Sequence, residues 1–229
     1  MAGELVRELG HPFRLIVFGA SGSGKSSALR FLALDGAGTW DRVIVNAESA
    51  TVNHSFDYAS NRLDGDASAK ILAIIGYQKR RLQQGQRLLR VLLILEDFSA
   101  TYSGASKNIA KIVLTARHWS ISVVVVAHRL TSLPPPVRDQ ATAIIVTSKV
   151  RADQTARLRE LTELEGYDLT RALSGIRTGR PLLLKVGSDA AFYVPVPARF
   201  ATRALDAAEP APIDEEEPDE DYPEPDDYE

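Results

Sequence analysis

The sequence has 229 residues, a formal net charge of −3 and no cysteine. This length is enough for one domain with a substantial core, and the lack of cysteine excludes a disulfide framework, a thiol nucleophile and a thiolate metal site. No apolar run approaches the roughly 20 residues that cross a bilayer, and the first ten residues carry acids instead of an apolar segment. We therefore expect neither a membrane span nor a secretory signal.

A glycine-rich loop between a predicted strand and a predicted helix is the strongest pattern in the chain. The apolar run Phe13–Phe18 is typical of a buried parallel strand, and Ser27–Leu34 predicts a helix. Between them, Gly19-Ala-Ser-Gly-Ser-Gly-Lys25-Ser26 matches G-x-x-x-x-G-K-[ST] at every fixed position. The order of strand, glycine loop and helix favours a phosphate-binding loop (P-loop) over a chance match.

The residue types of this loop indicate its chemistry. Glycines let the backbone wrap a polyphosphate, and the N–H groups of the loop and helix then point at it. The Lys25 ammonium can reach the β- and γ-phosphates, and the Ser26 hydroxyl can ligate Mg²⁺. The predicted nucleotide-binding residues are Gly19, Ala20, Ser21, Gly22, Ser23, Gly24, Lys25, Ser26 and Ser27.

The next segments predict a strand over Arg42–Asn46 and a polar loop, with one short helix, over Glu48–Asp66. Within that loop, Asn61–Asp64 is superficially similar to the guanine-reading N-K-x-D element of GTPases. It has Arg in place of Lys and precedes the acidic strand, so we interpret the match as chance. An amphipathic helix is predicted over Ala67–Gln86, with a basic end at Lys79–Arg81 that complements the helix dipole or contacts DNA.

Two acids follow the second buried run of the chain. Val91–Leu95 predicts a strand, and Glu96 and Asp97 come directly after it, which is the Walker B arrangement. Ligands of open α/β sheets bind beyond the carboxyl ends of the strands. One carboxylate there can bind Mg²⁺ while the other orients the attacking water, and the sequence leaves open which does which.

The third buried run, Ile121–Ala127, is predicted to be a strand that ends at His128. It follows a predicted helix over Lys107–His118 that ends in Arg117 and His118. A polar residue at the tip of the strand beside Walker B can hydrogen-bond the γ-phosphate or the attacking water. The alternative is that His128 only caps the strand.

The remaining segments complete an α/β pattern with a mainly parallel sheet. We expect Leu133–Pro136 to break regular structure, a strand over Ala143–Thr147, one or two helices within 151–175, and a β-hairpin. The hairpin is predicted from Gly179–Val186 and Ala190–Val194, which flank Gly187-Ser-Asp189.

Charge divides the chain into a folded domain, residues 1–205, and an acidic tail, residues 206–229. The tail holds 13 acids and no Lys or Arg, so it is predicted to be disordered. The domain then holds 27 basic and 17 acidic side chains, a net charge of +10. A basic domain suits a polyanionic partner such as nucleic acid, although a solvated basic surface would have the same composition.

The chain resembles the genome-packaging ATPases of the FtsK–HerA superfamily in four features taken together. These are the P-loop, Glu96-Asp97, Arg117-His118 and the segment Leu130-Thr-Ser-Leu-Pro-Pro-Pro-Val-Arg138. The resemblance is to the poxvirus-type group of large DNA viruses, virophages and tailless internal-membrane DNA viruses, and it covers roughly residues 12–195. It implies a RecA-like fold, ATP and Mg²⁺ as cofactors, and a ring of identical subunits. It also implies translocation of double-stranded DNA into a preformed capsid, a capsid or vertex partner, and a location in the host-cell cytoplasm or at the virus assembly site.

Two positions depart from the pattern of that family. The family usually places Asp first in the Walker B pair, whereas Glu96 comes first here, and it usually has Gln where this chain has His128. The resemblance implies catalytic roles for Lys25, Glu96, Asp97 and His128, and for Arg117 or Arg138 as an arginine finger that acts on a neighbouring subunit. The alternatives are a P-loop kinase for small molecules or nucleotides, and an ATP-binding structural virion component without hydrolysis.

Overall fold

The computed structural model describes residues 4–35, 38–46, 61–63, 67–96 and 113–200. The helices include α1 (Glu4–Leu9), α2 (Lys25–Asp35), α3 (Ala67–Gln83), α4 (Pro135–Asp139), α5 (Ala152–Leu161) and α6 (Gly166–Ser174). The strands are β1 (Arg14–Phe18), β2 (Arg42–Asn46), β3 (Asn61–Leu63), β4 (Val91–Leu95), β5 (Ile121–Ala127), β6 (Ala143–Val146), β7 (Leu182–Lys185) and β8 (Ala191–Tyr193). Short 3-10 turns cover Ala116–Trp119, Leu130–Ser132 and Ala198–Phe200.

The described strands form one eight-stranded sheet in the order β3-β2-β4-β5-β1-β6-β7-β8. The six strands from β3 to β6 in this order run parallel, and the hairpin of β7 and β8 adds two antiparallel strands beside β6. The parallel strands all end on the same side of the sheet, which we call the carboxyl edge. Gly19, Glu96 and His128 directly follow strands and therefore lie at this edge. The opposite edge, where Arg14 and Arg42 begin their strands, is the amino edge.

Both faces of the sheet are covered by apolar side chains. Because side chains alternate along a strand, Ile16 and Phe18 belong to one buried cluster and Leu15 and Val17 to the other. The first cluster also contains side chains of α3, α5 and α6, and the second those of α1 and α2. Helices on both faces explain why the central strands are continuous apolar runs.

Most predicted elements are confirmed. The strands over Arg42–Asn46, Val91–Leu95 and Ile121–Ala127 have the predicted bounds, and the hairpin and two helices within 151–175 are present. Helix α2 begins at Lys25, inside the P-loop motif, and α3 ends at Gln83, shortly before Gly85 adopts a left-handed φ of 69°. Of the predicted helix over Lys107–His118, residues 113–115 are helical and Ala116–Trp119 form a 3-10 turn.

Two predictions are wrong. Part of the predicted polar loop, Asn61–Leu63, forms β3 at the edge of the sheet, where backbone pairing with β2 suffices for a strand of three residues. The run Leu133–Pro136 was expected to break regular structure, yet α4 begins inside it, at Pro135. Proline is favourable in the first turn of a helix, because the N–H that it lacks has no partner there.

Some predictions fall outside the described residues: the rest of the Glu48–Asp66 loop, Asp97, the beginning of the helix over Lys107–His118, and the tail over 206–229. Among the residues that are described, no helix is both long and apolar enough to cross a membrane.

Candidate functional site

The P-loop connects the buried end of β1 to the first turn of α2. Gly22 and Gly24 have φ values of 70° and 94°, in the region that glycine adopts without a Cβ penalty. The Lys25 Nζ donates hydrogen bonds to the carbonyl oxygens of Gly19 and Ala20, each at 3.0 Å. The ammonium therefore lies over the first residues of the loop, where it is placed to meet an incoming phosphate.

Thr147 and Ser148, which directly follow β6, make hydrogen bonds that hold the P-loop in place. The Thr147 hydroxyl donates to the carbonyl of Phe18 at 3.1 Å and lies 2.6 Å from the Ser23 hydroxyl. The Ser148 hydroxyl accepts the N–H of Ala20 at 3.0 Å. Thr147 and Ser148 were not predicted as site residues. Polar residues that directly follow a buried strand are the pattern that would have indicated them, once β6 is known to lie beside β1.

Close packing against Thr147 explains why the first loop residue is glycine. A Cβ on Gly19 would overlap the Thr147 hydroxyl and come within 2.8 Å of the Ser23 Oγ. The backbone N–H of Gly19 also points to the Ala127 carbonyl, at 3.4 Å. The loop is therefore fixed between β5 and β6.

Glu96 and His128 lie at the same edge as the P-loop, because each of them directly follows a parallel strand. Strand β5 lies between β1 and β4, so Glu96 is two strand spacings, about 10 Å, from the start of the loop. The register pairs Phe18 with Ala127, which brings His128 beside Gly19. Glu96 is half-buried and its N–H donates to the Asn46 carbonyl at 2.9 Å, whereas His128 is exposed.

The oxygen donors at this edge fit a magnesium ion. Ser26 is half-buried in the first turn of α2, and Glu96 follows β4. Mg²⁺ prefers such hard oxygen donors and takes its other ligands from phosphates and water. The described residues contain no group of three or more His, Asp or Glu that could hold a metal by themselves.

Arg117 lies at the amino edge, away from the P-loop of its own chain. It is exposed in the 3-10 turn before β5. Burial lowers the pKa of Arg14, the first residue of β1, and the nearby Arg117 guanidinium lowers it further. Arg14 and Gly19 are separated by the whole of β1, which spans about 16 Å. Arg117 is thus one strand length from its own loop, at a surface that a neighbouring molecule can approach.

Arg138 differs from Arg117 because it is buried. Only 7% of it is exposed, and its Nη1 donates to the Leu133 carbonyl at 3.4 Å. Its pKa is lowered first by burial and then by Arg157, against the opposing effect of Asp139. It also lies five residues before Ala143, the first residue of β6. Its contacts tie α4 to the segment before it.

The Sulfolobus turreted icosahedral virus 2 genome-packaging NTPase B204, in complex with sulfate, is among the solved structures that share this architecture. The two superpose with a TM-score of 0.61 at 14% sequence identity, over 80% of this chain and 96% of B204. The DNA-packaging ATPase B204 from Sulfolobus turreted icosahedral virus gives 0.60 at 13% identity, over 80% and 97%. ATPases 2 and 3 of EssC from Geobacillus thermodenitrificans give 0.57 at 17% identity, over 81% of this chain and 39% of theirs.

The chain has a RecA-like P-loop NTPase fold. This likeness confirms the predicted fold class, and the neighbours include genome-packaging NTPases, the proteins that the sequence resembles. No protein-family model matches the chain, and no curated protein sequence matches it significantly. Structures of B204 from Sulfolobus turreted icosahedral virus 2 include complexes with AMP, ATP-gammaS and AMPPCP.

Proposed function

We propose that this protein is an ATPase that uses the energy of hydrolysis to translocate double-stranded DNA into a viral capsid. The observation that carries the proposal is the set of polar side chains at the carboxyl edge. There the Lys25 ammonium lies 3.0 Å from two P-loop carbonyls, Glu96 follows β4 and His128 follows β5. The nucleotide complexes of B204 support a nucleotide as the ligand of this edge.

In this proposal each side chain acts on a different part of the triphosphate. Lys25 leaves its carbonyl partners and neutralises the β- and γ-phosphates, while the loop N–H groups cradle them. One of the two carboxylates, Glu96 or Asp97, binds the metal and the other orients the attacking water. His128 hydrogen-bonds the γ-phosphate or that water. A bound Mg²⁺, held by Ser26 and one of the two carboxylates, would neutralise the charge that develops on the phosphates.

The neighbouring subunit of a homo-oligomeric ring is proposed to supply the arginine finger. Arg117 suits this role better than Arg138, because Arg117 is exposed one strand length from its own P-loop and Arg138 is buried. Known fingers of this kind raise the rate by about 10³–10⁵. A ring also gives DNA a central passage, and the net charge of +10 on residues 1–205 attracts its phosphates. A capsid or vertex partner, and a location in the host-cell cytoplasm or at the virus assembly site, belong to the same proposal.

Removal of the Lys25 charge tests the ATPase proposal. We expect Lys25→Ala to lower steady-state phosphate release from Mg-ATP at least about 100-fold, because the charge that meets the β- and γ-phosphates is lost. Lys185→Ala is the matched control, since Lys185 forms a surface ion pair with Glu8 that contributes little. Turnover of Lys25→Ala near that of Lys185→Ala would remove the assignment of the P-loop.

A further inference from the structure

A basic surface covers the part of the amino edge where β2, β4 and β5 begin. Seven cationic side chains form it, six of them exposed and Arg81 half-buried: Arg42, Lys79, Arg80, Arg81, Arg87, Arg90 and Arg117. In the segments that supply them, 40–42, 79–90 and 117–119, Asp41 is the only acid. The basic surface therefore has a net charge of +6.

Hydrogen bonds between these segments make the basic surface continuous. The side chain of Gln78, near the end of α3, donates to the carbonyls of Leu89 and Trp119, at 2.7 and 2.9 Å. The backbone N–H of Asp41 donates to the carbonyl of Arg90 at 2.8 Å. The end of α3, the segment before β4, the turn before β5 and the start of β2 therefore lie side by side on one face of the molecule.

The contacts of the basic surface hold its cations in place without neutralising most of them. Asp41 is bound by Arg87 through two hydrogen bonds of 2.6 and 2.7 Å. The Lys79 ammonium lies 5.5 Å from the centroid of the Trp119 ring, and the Arg81 Nε donates to the carbonyl of Arg87 at 3.0 Å. A ring and a carbonyl carry no net charge, so the cations repel each other and an acidic ligand relieves that repulsion.

A second group of basic residues, within 149–180, differs because acids lie among them. That segment holds seven Lys and Arg side chains and five acids, including the ion pair of Arg157 with Glu160. Segment 67–95, which runs through α3 and β4, holds six Lys and Arg side chains and no acid. We therefore expect a strongly acidic ligand to prefer the basic surface at the amino edge.

The acidic tail has the charge and the length to bind this surface. Thirteen acids lie within residues 206–229, seven of them within 214–221, and no Lys or Arg lies among them. The ring of Phe200 packs at 5.2 Å against Phe31 of α2, the helix that returns from the P-loop toward the amino edge. The 29 residues after Phe200 span up to about 95 Å when extended, several times the length of a strand of the sheet.

We propose that the acidic tail docks on the basic surface of its own molecule. Because it is tethered, the tail is supplied at an effective concentration on the order of millimolar, whereas any other polyanion must arrive from solution. The contact lies at the edge opposite the P-loop, so it does not rest on the proposed ATPase function. Since Arg117 belongs to the basic surface, the docked tail also shields this arginine from other molecules.

Zero-length cross-linking of the full-length protein tests the contact. A water-soluble carbodiimide joins a carboxylate to a lysine amine that it contacts, and mass spectrometry of the digested protein locates the link. Lys79 reports on the basic surface, and Lys149, which is exposed after β6 at the carboxyl edge, is the internal control. At low salt we expect links from 206–229 to Lys79 to exceed those to Lys149 about fivefold, and to fall severalfold at 1 M salt, where the screening length is about 3 Å.

Two double variants separate attraction by the basic surface from the general reactivity of the lysines. Arg80→Gln with Arg90→Gln removes two charges from the basic surface and leaves Lys79 and the tail intact. Arg151→Gln with Arg171→Gln removes two exposed charges elsewhere and is the matched control. The first variant should reduce the Lys79 links about threefold or more, and the second should leave them unchanged. All four side chains are exposed, so both variants should keep the thermal unfolding transition of wild type.

Three outcomes would overturn the docking. The first is equal linking of both lysines, or Lys79 links that Arg80→Gln with Arg90→Gln leaves unchanged. The second is a yield of Lys79 links that rises with protein concentration, which would place the tail on a second molecule. The third concerns duplex DNA, the alternative occupant. Absence of Lys79 links, together with a weaker duplex affinity of Arg80→Gln with Arg90→Gln in a fluorescence-anisotropy titration, would assign the basic surface to DNA instead of the tail.

Discussion

The hydroxyl of Thr147 links three parts of the nucleotide site. It donates to the carbonyl of Phe18 at the end of β1 and lies 2.6 Å from the Ser23 hydroxyl, while Gly19 leaves the space that it occupies. Its backbone N–H also donates to Phe18, at 3.0 Å, so the strand pairing does not depend on the side chain. The side chain of Thr147 therefore serves mainly to hold the loop.

Thr147→Val tests this role because valine has nearly the same shape and lacks the hydroxyl. Loss of about 1 kcal/mol of loop stabilisation should weaken binding of a non-hydrolysable ATP analogue about fivefold. Thr142→Val is the matched control, since the Thr142 hydroxyl makes two similar contacts with Arg14 at the other end of β1. Both variants should lose similar stability. Equal nucleotide affinities in the two would show that Thr147 has no particular role in the loop.

His11 bridges two serines at the amino edge. Its Nδ1 and Nε2 each lie 2.8 Å from a hydroxyl, of Ser122 and Ser120 respectively, and its ring packs edge-on against Trp40. Burial lowers the pKa of His11, and the nearby Arg90 lowers it further. The folded protein therefore favours the neutral ring more than the unfolded chain does.

This shift predicts a pH dependence of stability. The unfolded chain takes up the His11 proton below about pH 6.5, where the folded protein resists it, so the contribution of His11 falls as the pH drops through that value. We expect the melting temperature of wild type to exceed that of His11→Gln at pH 7.5 and the gap to narrow by pH 5.5. Calorimetric unfolding of both proteins measures the gap, and a gap that is constant or wider at low pH would contradict the cause given for the shift.

The two candidate finger arginines lie in different elements and differ in exposure. Arg117 belongs to the 3-10 turn over Ala116–Trp119, and Arg138 belongs to helix α4. Arg117 lies at the amino edge, one strand length from the P-loop of its own chain, whereas Arg138 lies on the way from β5 to β6. Arg117 is exposed, whereas Arg138 is buried and donates to the Leu133 carbonyl. A residue that acts on a neighbouring subunit must reach that subunit's phosphates, which an exposed side chain can do without rearrangement of its own fold.

Mixed oligomers test the action of Arg117 on a neighbour. A subunit with Arg117→Ala has an intact P-loop, and a subunit with Lys25→Ala has an intact Arg117, so a mixture contains sites with both parts. Mixing the two inactive variants should restore part of the phosphate release, and mixing Arg138→Ala with Lys25→Ala should not. Absence of recovery at every ratio, with assembly confirmed by light scattering, would argue against an arginine that acts across the interface.

The sequence predicts elements well where local pattern suffices. Central strands such as β4 and β5 are buried on both faces, so their apolar runs define their bounds. The edge strand β3 has only Leu63 as an apolar residue, and its pairing with β2 cannot be read from local pattern. Strand order is equally non-local, and it alone brings Thr147 to the P-loop. The P-loop and Glu96 were found because their motifs are contiguous, whereas Thr147 belongs to the site only after folding.

At the scale of the whole molecule, the candidate site and one group of exposed arginines lie at opposite edges of the sheet. The carboxyl edge holds the P-loop and Glu96, and the amino edge carries exposed arginines at the starts of strands, including Arg42 and Arg90. Asp41 at the amino edge is held by two hydrogen bonds from Arg87, at 2.6 and 2.7 Å, which lower its pKa well below the usual range. We expect the net charge of +10 on residues 1–205 to favour a polyanionic partner.

Steady-state phosphate release from Mg-ATP, measured with and without duplex DNA, tests the central claim most directly. For a DNA-translocating ATPase we expect duplex DNA to raise the rate of the wild-type protein severalfold at low salt. The rise should shrink as salt weakens the phosphate contacts, and Lys25→Ala should show neither basal nor stimulated release. Transfer of phosphate to a small acceptor would indicate a kinase, and absence of turnover would indicate a structural component. Turnover that duplex DNA leaves unchanged at every concentration would contradict the account of a DNA motor.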